Sequence, residues 1–190
     1  MTATPHYFIA VPVTNEIKVE FSKWQNALQQ KLSYKIWPHQ EDLHITLKFL
    51  GGVEADKVKE LLTELRSIDD ISDFFIEVGG LGTFGKPDSP RVLWAGAESN
   101  KNLLDLYKRV ERASTKMGFS KEHRPYRPHI TLAKKWNGSS IHTDALKDVL
   151  DSAQFEIFSM VVNSFVLYQI FPSKIPKYEI VETFNLKGGR

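Results

Sequence analysis

The chain contains no cysteine among its 190 residues, which excludes a disulfide framework, a thiolate metal site and a cysteine nucleophile. No apolar run approaches the eighteen or so residues that span a bilayer. The opening residues Met1–Pro5 lack the basic and long apolar regions of a secretory signal. A cytoplasmic protein without membrane association is expected, and absent cysteine fits a reducing compartment. Charge of one sign is also scarce: 25 basic and 23 acidic residues leave a net +2. Whole-molecule electrostatics therefore do not announce nucleic acid, and any anion site has to be local. Histidines at His-x-His or His-x-x-x-His spacing are missing, so no metal site is expected. No motif supports a serine nucleophile, and no cofactor is expected.

What the chain does have is one tetrapeptide twice, His44-Ile45-Thr46-Leu47 and His129-Ile130-Thr131-Leu132. At ordinary residue usage the odds of an identical second copy are about one in a thousand. Side chains alternate between the faces of a strand. Leu43, Ile45, Leu47 and Phe49 then form an apolar row for the core, and His44, Thr46 and Lys48 point the other way. The second copy repeats this, with Ile130 and Leu132 inward and His129, Thr131 and Ala133 outward.

The surrounding pattern predicts strands at 7–13, 43–50, 74–78, 91–97 and 128–133. Three more follow at 155–158, 161–171 and 178–186. Amphipathic helices are expected at 15–32, with Thr14 as N-cap, and at 55–67, 100–117 and 143–150. The Gly/Pro-rich segment 79–90 reads as a loop. After each motif the order is helix, strand, turn, strand, with Phe75 and Phe155 in similar places. Internal duplication accounts for this, and no linker separates the halves. The expected fold is α+β with mostly antiparallel sheets: residues 1–190 form one bilobal, pseudo-two-fold domain with one motif per half.

A two-fold relation would set the two polar rows across one groove. One imidazole can then act as base while the other acts as acid, as in-line displacement at phosphorus requires. The hydroxyls of Thr46 and Thr131 would hold non-bridging oxygens. Near symmetry leaves open which histidine does which. The segment His123-Arg124-Pro125-Tyr126-Arg127-Pro128 is the clearest local basic patch. Arg124 and Arg127 are candidates for phosphate, Tyr126 for stacking on a base or ribose, and Lys48 for a further phosphate contact.

With Trp37-Pro38 and Asp42–Gly51 ahead, and Arg124–Ala133 behind, the chain resembles the two-histidine (2H) phosphoesterases. Within them it is similar to the RNA 2′,3′-cyclic phosphodiesterases once called 2′-5′ RNA ligases. That resemblance implies two similar α+β halves flanking a central cleft, with helices outside. It implies metal-independent opening of a 2′,3′-cyclic phosphate on an RNA end or nucleotide to a 2′-phosphate. It makes His44 the acid toward the 3′ oxygen and His129 the base toward water, with Thr46 and Thr131 on the phosphate. Lys134 stands where many relatives carry arginine. A monomer is expected. Hydrolysis of a small cyclic nucleotide or an ADP-ribose cyclic phosphate remains an alternative, as does a non-catalytic RNA-binding module.

Overall fold

Tyr7 to Val11 are buried on both faces, the pattern of a strand covered on both sides. Tyr7, Ile9 and Val11 join the main core, whereas Phe8 and Ala10 join a smaller cluster with Val166 and Tyr168 on the opposite face. This strand is β1 (His6–Pro12). The computed structural model describes residues 4–152 and 155–188. Along them follow α1 (Asn15–Gln29), β2 (Tyr34–Ile36), β3 (His44–Gly52), α2 (Ala55–Arg66), β4 (Phe74–Lys86) and β5 (Ser89–Ala97). Then come α3 (Lys101–Lys116), β6 (His129–Trp136), α4 (Thr143–Leu150), β7 (Ile157–Val162), β8 (Ser164–Ile170) and β9 (Tyr178–Asn185).

Instead of two sheets, hydrogen bonding links the nine strands into one antiparallel sheet of order β7-β4-β5-β6-β3-β1-β8-β9, with β2 also on β6. The motif strands β3 and β6 are its central neighbours, and the single pair Ile45–Ile130 joins them. The strands after each motif do not stay beside it. β4 and β5 lie on the β6 side and β8 and β9 on the β1 side, so one half of the sheet comes from the middle of the chain and the other, β3-β1-β8-β9, from its two ends.

Several expected elements differ in detail. The 79–90 segment is not a loop but most of the β4–β5 hairpin. Its glycines supply close approach: a Cβ on Gly82 would lie 2.1 Å from the Trp94 ring of the facing residue. The long strand expected at 161–171 divides, residues up to Val162 pairing with β4 and those from Ser164 pairing with β1 and β9. Phe75 and Phe155 are not equivalent: Phe75 is exposed on β4, while Phe155 is buried edge-on against Trp24. Thr14 sits at the N-cap of α1 without a side-chain cap bond, whereas Asn100 caps α3 by accepting from the Leu103 amide.

The apolar stripe of α1, Ile17, Phe21, Trp24 and Leu28, faces the sheet. Among these residues lies the buried amide of Gln25, which donates to the carbonyls of Pro38 (3.0 Å) and Leu132 (2.9 Å). Leu132 falls where β6 slips against β5, between the pairs Leu93–Ala133 and Trp94–Thr131. Such a bulge leaves ladder groups unpaired, and Gln25 supplies the donor. Gln25→Leu is expected to destabilise the protein by about 1–3 kcal/mol by stranding those two carbonyls. Urea denaturation of both proteins measures the difference.

Candidate active site

The antiparallel pair Ile45–Ile130 joins the same position of the two motifs. Carried one residue outward, that register sets His44 beside Thr131 and Thr46 beside His129. Side chains on one face of such neighbours project together, with Cβ atoms about 5 Å apart for a directly opposed pair. The pair thus draws His44, Thr46, His129 and Thr131 from distant sequence positions to the centre of the sheet.

Both imidazoles are held alike. Nδ1 of His44 donates to the Asp42 carbonyl at 2.7 Å, and Nδ1 of His129 donates to the Arg127 carbonyl at 2.7 Å. A carbonyl only accepts, so each ring keeps its proton on Nδ1 and presents Nε2 as the working nitrogen. The Thr46 hydroxyl lies 3.1 Å from Nε2 of His44 and donates to it while the ring is neutral. The ring of His44 packs at 4.7 Å from Phe8 and 5.4 Å from Tyr178. The ring of His129 meets Phe84 edge-on at 4.9 Å.

Asp42 anchors one wall. Its buried carboxylate accepts the amides of Lys177 and Tyr178 at 2.9–3.1 Å, tying the start of β9 to the motif strand. Beside it lies a cleft of about 530 Å³. His44, Thr46 and Thr131 line it, with Phe49, Lys134, Lys135 and Lys177 around them. None of Lys134, Lys135, Lys177 or the neighbouring Arg91 makes an ion pair among the described residues. Three lysines against the one carboxylate of Asp42 give the cleft a surplus of positive charge.

The expected row His44, Thr46, Lys48 breaks after Thr46. Between Ile9 and Ala10 of β1 the facing residue jumps from Lys48 to Thr46, a bulge at Leu47 that reverses the alternation. Lys48 is therefore not a phosphate contact. It is buried and donates to Glu111 at 2.8 Å and to the Ser120 carbonyl at 2.6 Å. Phe49, expected in the core, is 61% exposed and lines the cleft. The bulge at Leu132 does the same to β6: Leu132 and Ala133 are both buried, and Lys134 emerges on the face of His129 and Thr131. Phe49 and Lys134 thus hold matching positions, five residues after each histidine.

The basic segment supplies less than expected. Tyr126 is not free to stack on a base. Its ring lies flat on Tyr107 at 3.9 Å and its hydroxyl donates to the Thr46 carbonyl at 3.2 Å, so it braces the motif strand. Arg124 is engaged by both oxygens of Glu122 and lies outside the lining of the cleft. The exposed side chain of Arg127 is also outside that lining, and its contribution is the carbonyl that orients His129. The cations at the cleft are lysines for which only Lys134 left a trace in sequence. No group of three or more His, Cys, Asp or Glu could hold a metal among the described residues. No helix among them is long and apolar enough to cross a membrane.

Removal of water around His44 lowers its pKa to about 4. The nearby Lys134 and His129 push it the same way, against the Asp42 carbonyl and carboxylate. Burial, Lys177 and Lys135 lower Lys134 below the ordinary lysine range, with Asp42 opposing.

The phosphoesterase family model described as LigT like Phosphoesterase matches residues 11–94 and 96–176. An RNA 2′,3′-cyclic phosphodiesterase of Bacillus subtilis is 37% identical over 184 residues, covering 96% of this chain and 97% of that protein. One of the same name from Geobacillus stearothermophilus is 39% identical over 185 residues and 96% of this chain, which spans 58% of that protein's length. The crystal structure of E. coli LigT complexed with 3′-AMP matches with a TM-score of 0.75 at 22% identity, over 96% of this chain and 98% of that one. At that identity it is the fold that is shared.

Because His44 is depressed in the folded chain, the unfolded chain takes up its proton first. Its contribution to stability is complete above the ordinary value of 6.5 and is lost as the pH falls toward about 4. Urea midpoints measured across that window should fall more steeply for the natural chain than for His44→Gln. Parallel curves would contradict the depressed value.

Proposed function

We infer from its family, for this chain belongs to the LigT-like phosphoesterases, that it hydrolyses 2′,3′-cyclic phosphates at RNA ends to 2′-phosphomonoesters without a metal. The observation that carries the reading is the matched pair of Nδ1–H to carbonyl bonds, which leaves two Nε2 atoms for proton transfer. The names of the Bacillus and Geobacillus relatives point to the same activity.

In this reading the cyclic phosphate sits between the imidazoles, its non-bridging oxygens on the hydroxyls of Thr46 and Thr131 and on Lys134. His129 Nε2 takes a proton from water as the water oxygen bonds to phosphorus. The P–O3′ bond breaks, and His44 Nε2 returns a proton to the 3′ oxygen. The product carries a 2′-phosphate and a 3′-hydroxyl, and a proton passed from His129 back to His44 completes the cycle.

The depressed pKa keeps His44 neutral near neutral pH, the wrong state for an acid. An arriving anionic phosphate raises it, so His44 is charged only when there is a leaving group to protonate. Thr46 also changes role: its hydroxyl, which donates to Nε2 of neutral His44, turns to the phosphate as that nitrogen takes its proton. Two sequence-related halves, each giving one His-x-Thr unit around an approximate two-fold through Ile45 and Ile130, are part of this proposal. Since one chain carries both units, we take a cytoplasmic monomer as the working form.

His44→Ala and His129→Ala are each expected to lower hydrolysis of a cyclic-phosphate RNA end by about 10²–10⁴-fold with circular dichroism unchanged. A chelator should leave the natural chain's rate unaltered. Appreciable turnover in either variant, or loss of activity to the chelator, would refute the two-histidine mechanism. The rate–pH profile should be bell-shaped, and the pKa of His44 higher in kcat than in kcat/KM.

A further inference from the structure

We propose that a basic groove beside the cleft carries the RNA strand on the 5′ side of the cyclic phosphate, with Arg91 as its outer phosphate contact. The preferred substrate is then an oligonucleotide and not a mononucleotide. The inference rests on the reading of the cleft as the cyclic-phosphate site.

The groove, about 470 Å³, is lined by Ser89, Arg91 and Val92 of β5 and by Lys134, Lys135 and Trp136 of β6. It shares Lys134 and Lys135 with the cleft, so the two cavities run into one another at those side chains. Three cations line it and no carboxylate does. Like charges gathered without partners repel, and a chain of phosphates passing among them offsets that repulsion. Val92 and Trp136 add an apolar surface on which a ribose or base can rest.

The backbone of Lys135 is the second observation. Successive residues of a strand point to opposite faces, yet Lys134 and Lys135 line the same two cavities. Lys135 has φ +63°, the one non-glycine residue with positive φ among the described residues. That conformation is unfavourable for a side chain with a Cβ and persists where its surroundings impose it. Here it breaks the alternation and turns two consecutive cations toward one path.

A third cavity, about 340 Å³, opens on the other side of Lys134, toward Lys35, Trp37 and His39. The Asp42 carboxylate is in its wall. Lys177 lines it as well, while Trp37 Nε1 donates to the Tyr34 carbonyl and His39 Nδ1 accepts from the Glu41 amide. A polyanion therefore meets as many cations there, but beside a carboxylate that the groove at Arg91 lacks.

The test compares a 2′,3′-cyclic mononucleotide with an oligoribonucleotide ending in the same cyclic nucleotide. Arg91→Ala should lower kcat/KM for the oligonucleotide about tenfold and leave the mononucleotide within twofold. Its log kcat/KM against log salt should become shallower by about 0.7, the slope of one phosphate contact on a single strand. Lys135→Gly, which keeps the backbone conformation and removes the cation, should flatten the slope similarly, and Lys35→Ala should change nothing. If Arg91→Ala affects both substrates equally or neither, or if Lys35→Ala has the selective effect, the path is wrong while the cyclic-phosphate reading stands. If the natural chain hydrolyses neither substrate, that reading fails and this one with it.

Discussion

The site depends on one antiparallel contact, the pairing of Ile45 with Ile130. Because the contact joins the same position of two identical motifs, the local geometry around it is close to two-fold. The threonine that β3 presents to the cleft, Thr46, has its counterpart Thr131 on β6, while the matching positions farther along carry Phe49 and Lys134. A shift of one residue in this register would turn the histidines into the core and the isoleucines into water. The fully buried side chains of Ile45 and Ile130 oppose that shift. Burial of each contributes about 1.5–3 kcal/mol, so the packing that stabilises the sheet also holds the two imidazoles in register.

Around that contact the strands are deliberately irregular. Bulges at Leu47 and Leu132 place two consecutive residues in the core and bring Phe49 and Lys134 back to the cleft. The carbonyl of Leu132 is met by Gln25, and the displaced Lys48 by Glu111 and Ser120. The cleft keeps cations without partners, whereas Arg124 is occupied by Glu122. The difference follows from local sequence: a glutamate two residues from Arg124 folds back on it, and no carboxylate among the described residues forms an ion pair with Lys134 or Lys135. Neutral His44 lies among aromatic rings and lysines that make no ion pair among the described residues, surroundings that in the proposed reading suit an anion bringing its own charge.

The shared face of His44, Thr46 and Thr131 was legible because strand alternation and an identical repeat are local properties. So were the helices, whose apolar stripes lie on the sheet much as their spacing implies. Lys48 and Phe49 were misplaced because a bulge is decided by the partner strand: nothing within His44–Gly52 announces that β1 will slip against it. Tyr126 looked like a ligand contact because its partners Tyr107 and Thr46 are distant in sequence. The 79–90 part of the β4–β5 hairpin read as a loop because its glycines serve close packing, as Gly82 does against Trp94. Arg91 had no mark at all, since only the pairing of β5 with β6 brings it beside Lys134 and Lys135.

Two imidazoles acting on one phosphorus in the absence of a metal is the central claim. The most direct measurement is hydrolysis of an RNA ending in a 2′,3′-cyclic phosphate, in ¹⁸O-labelled water with excess chelator, followed by identification of the product. The expected product is a 2′-phosphomonoester carrying one labelled oxygen on phosphorus and an unlabelled 3′-hydroxyl. A 3′-phosphate, label on the ribose oxygen, or no turnover until a divalent metal is restored would contradict it.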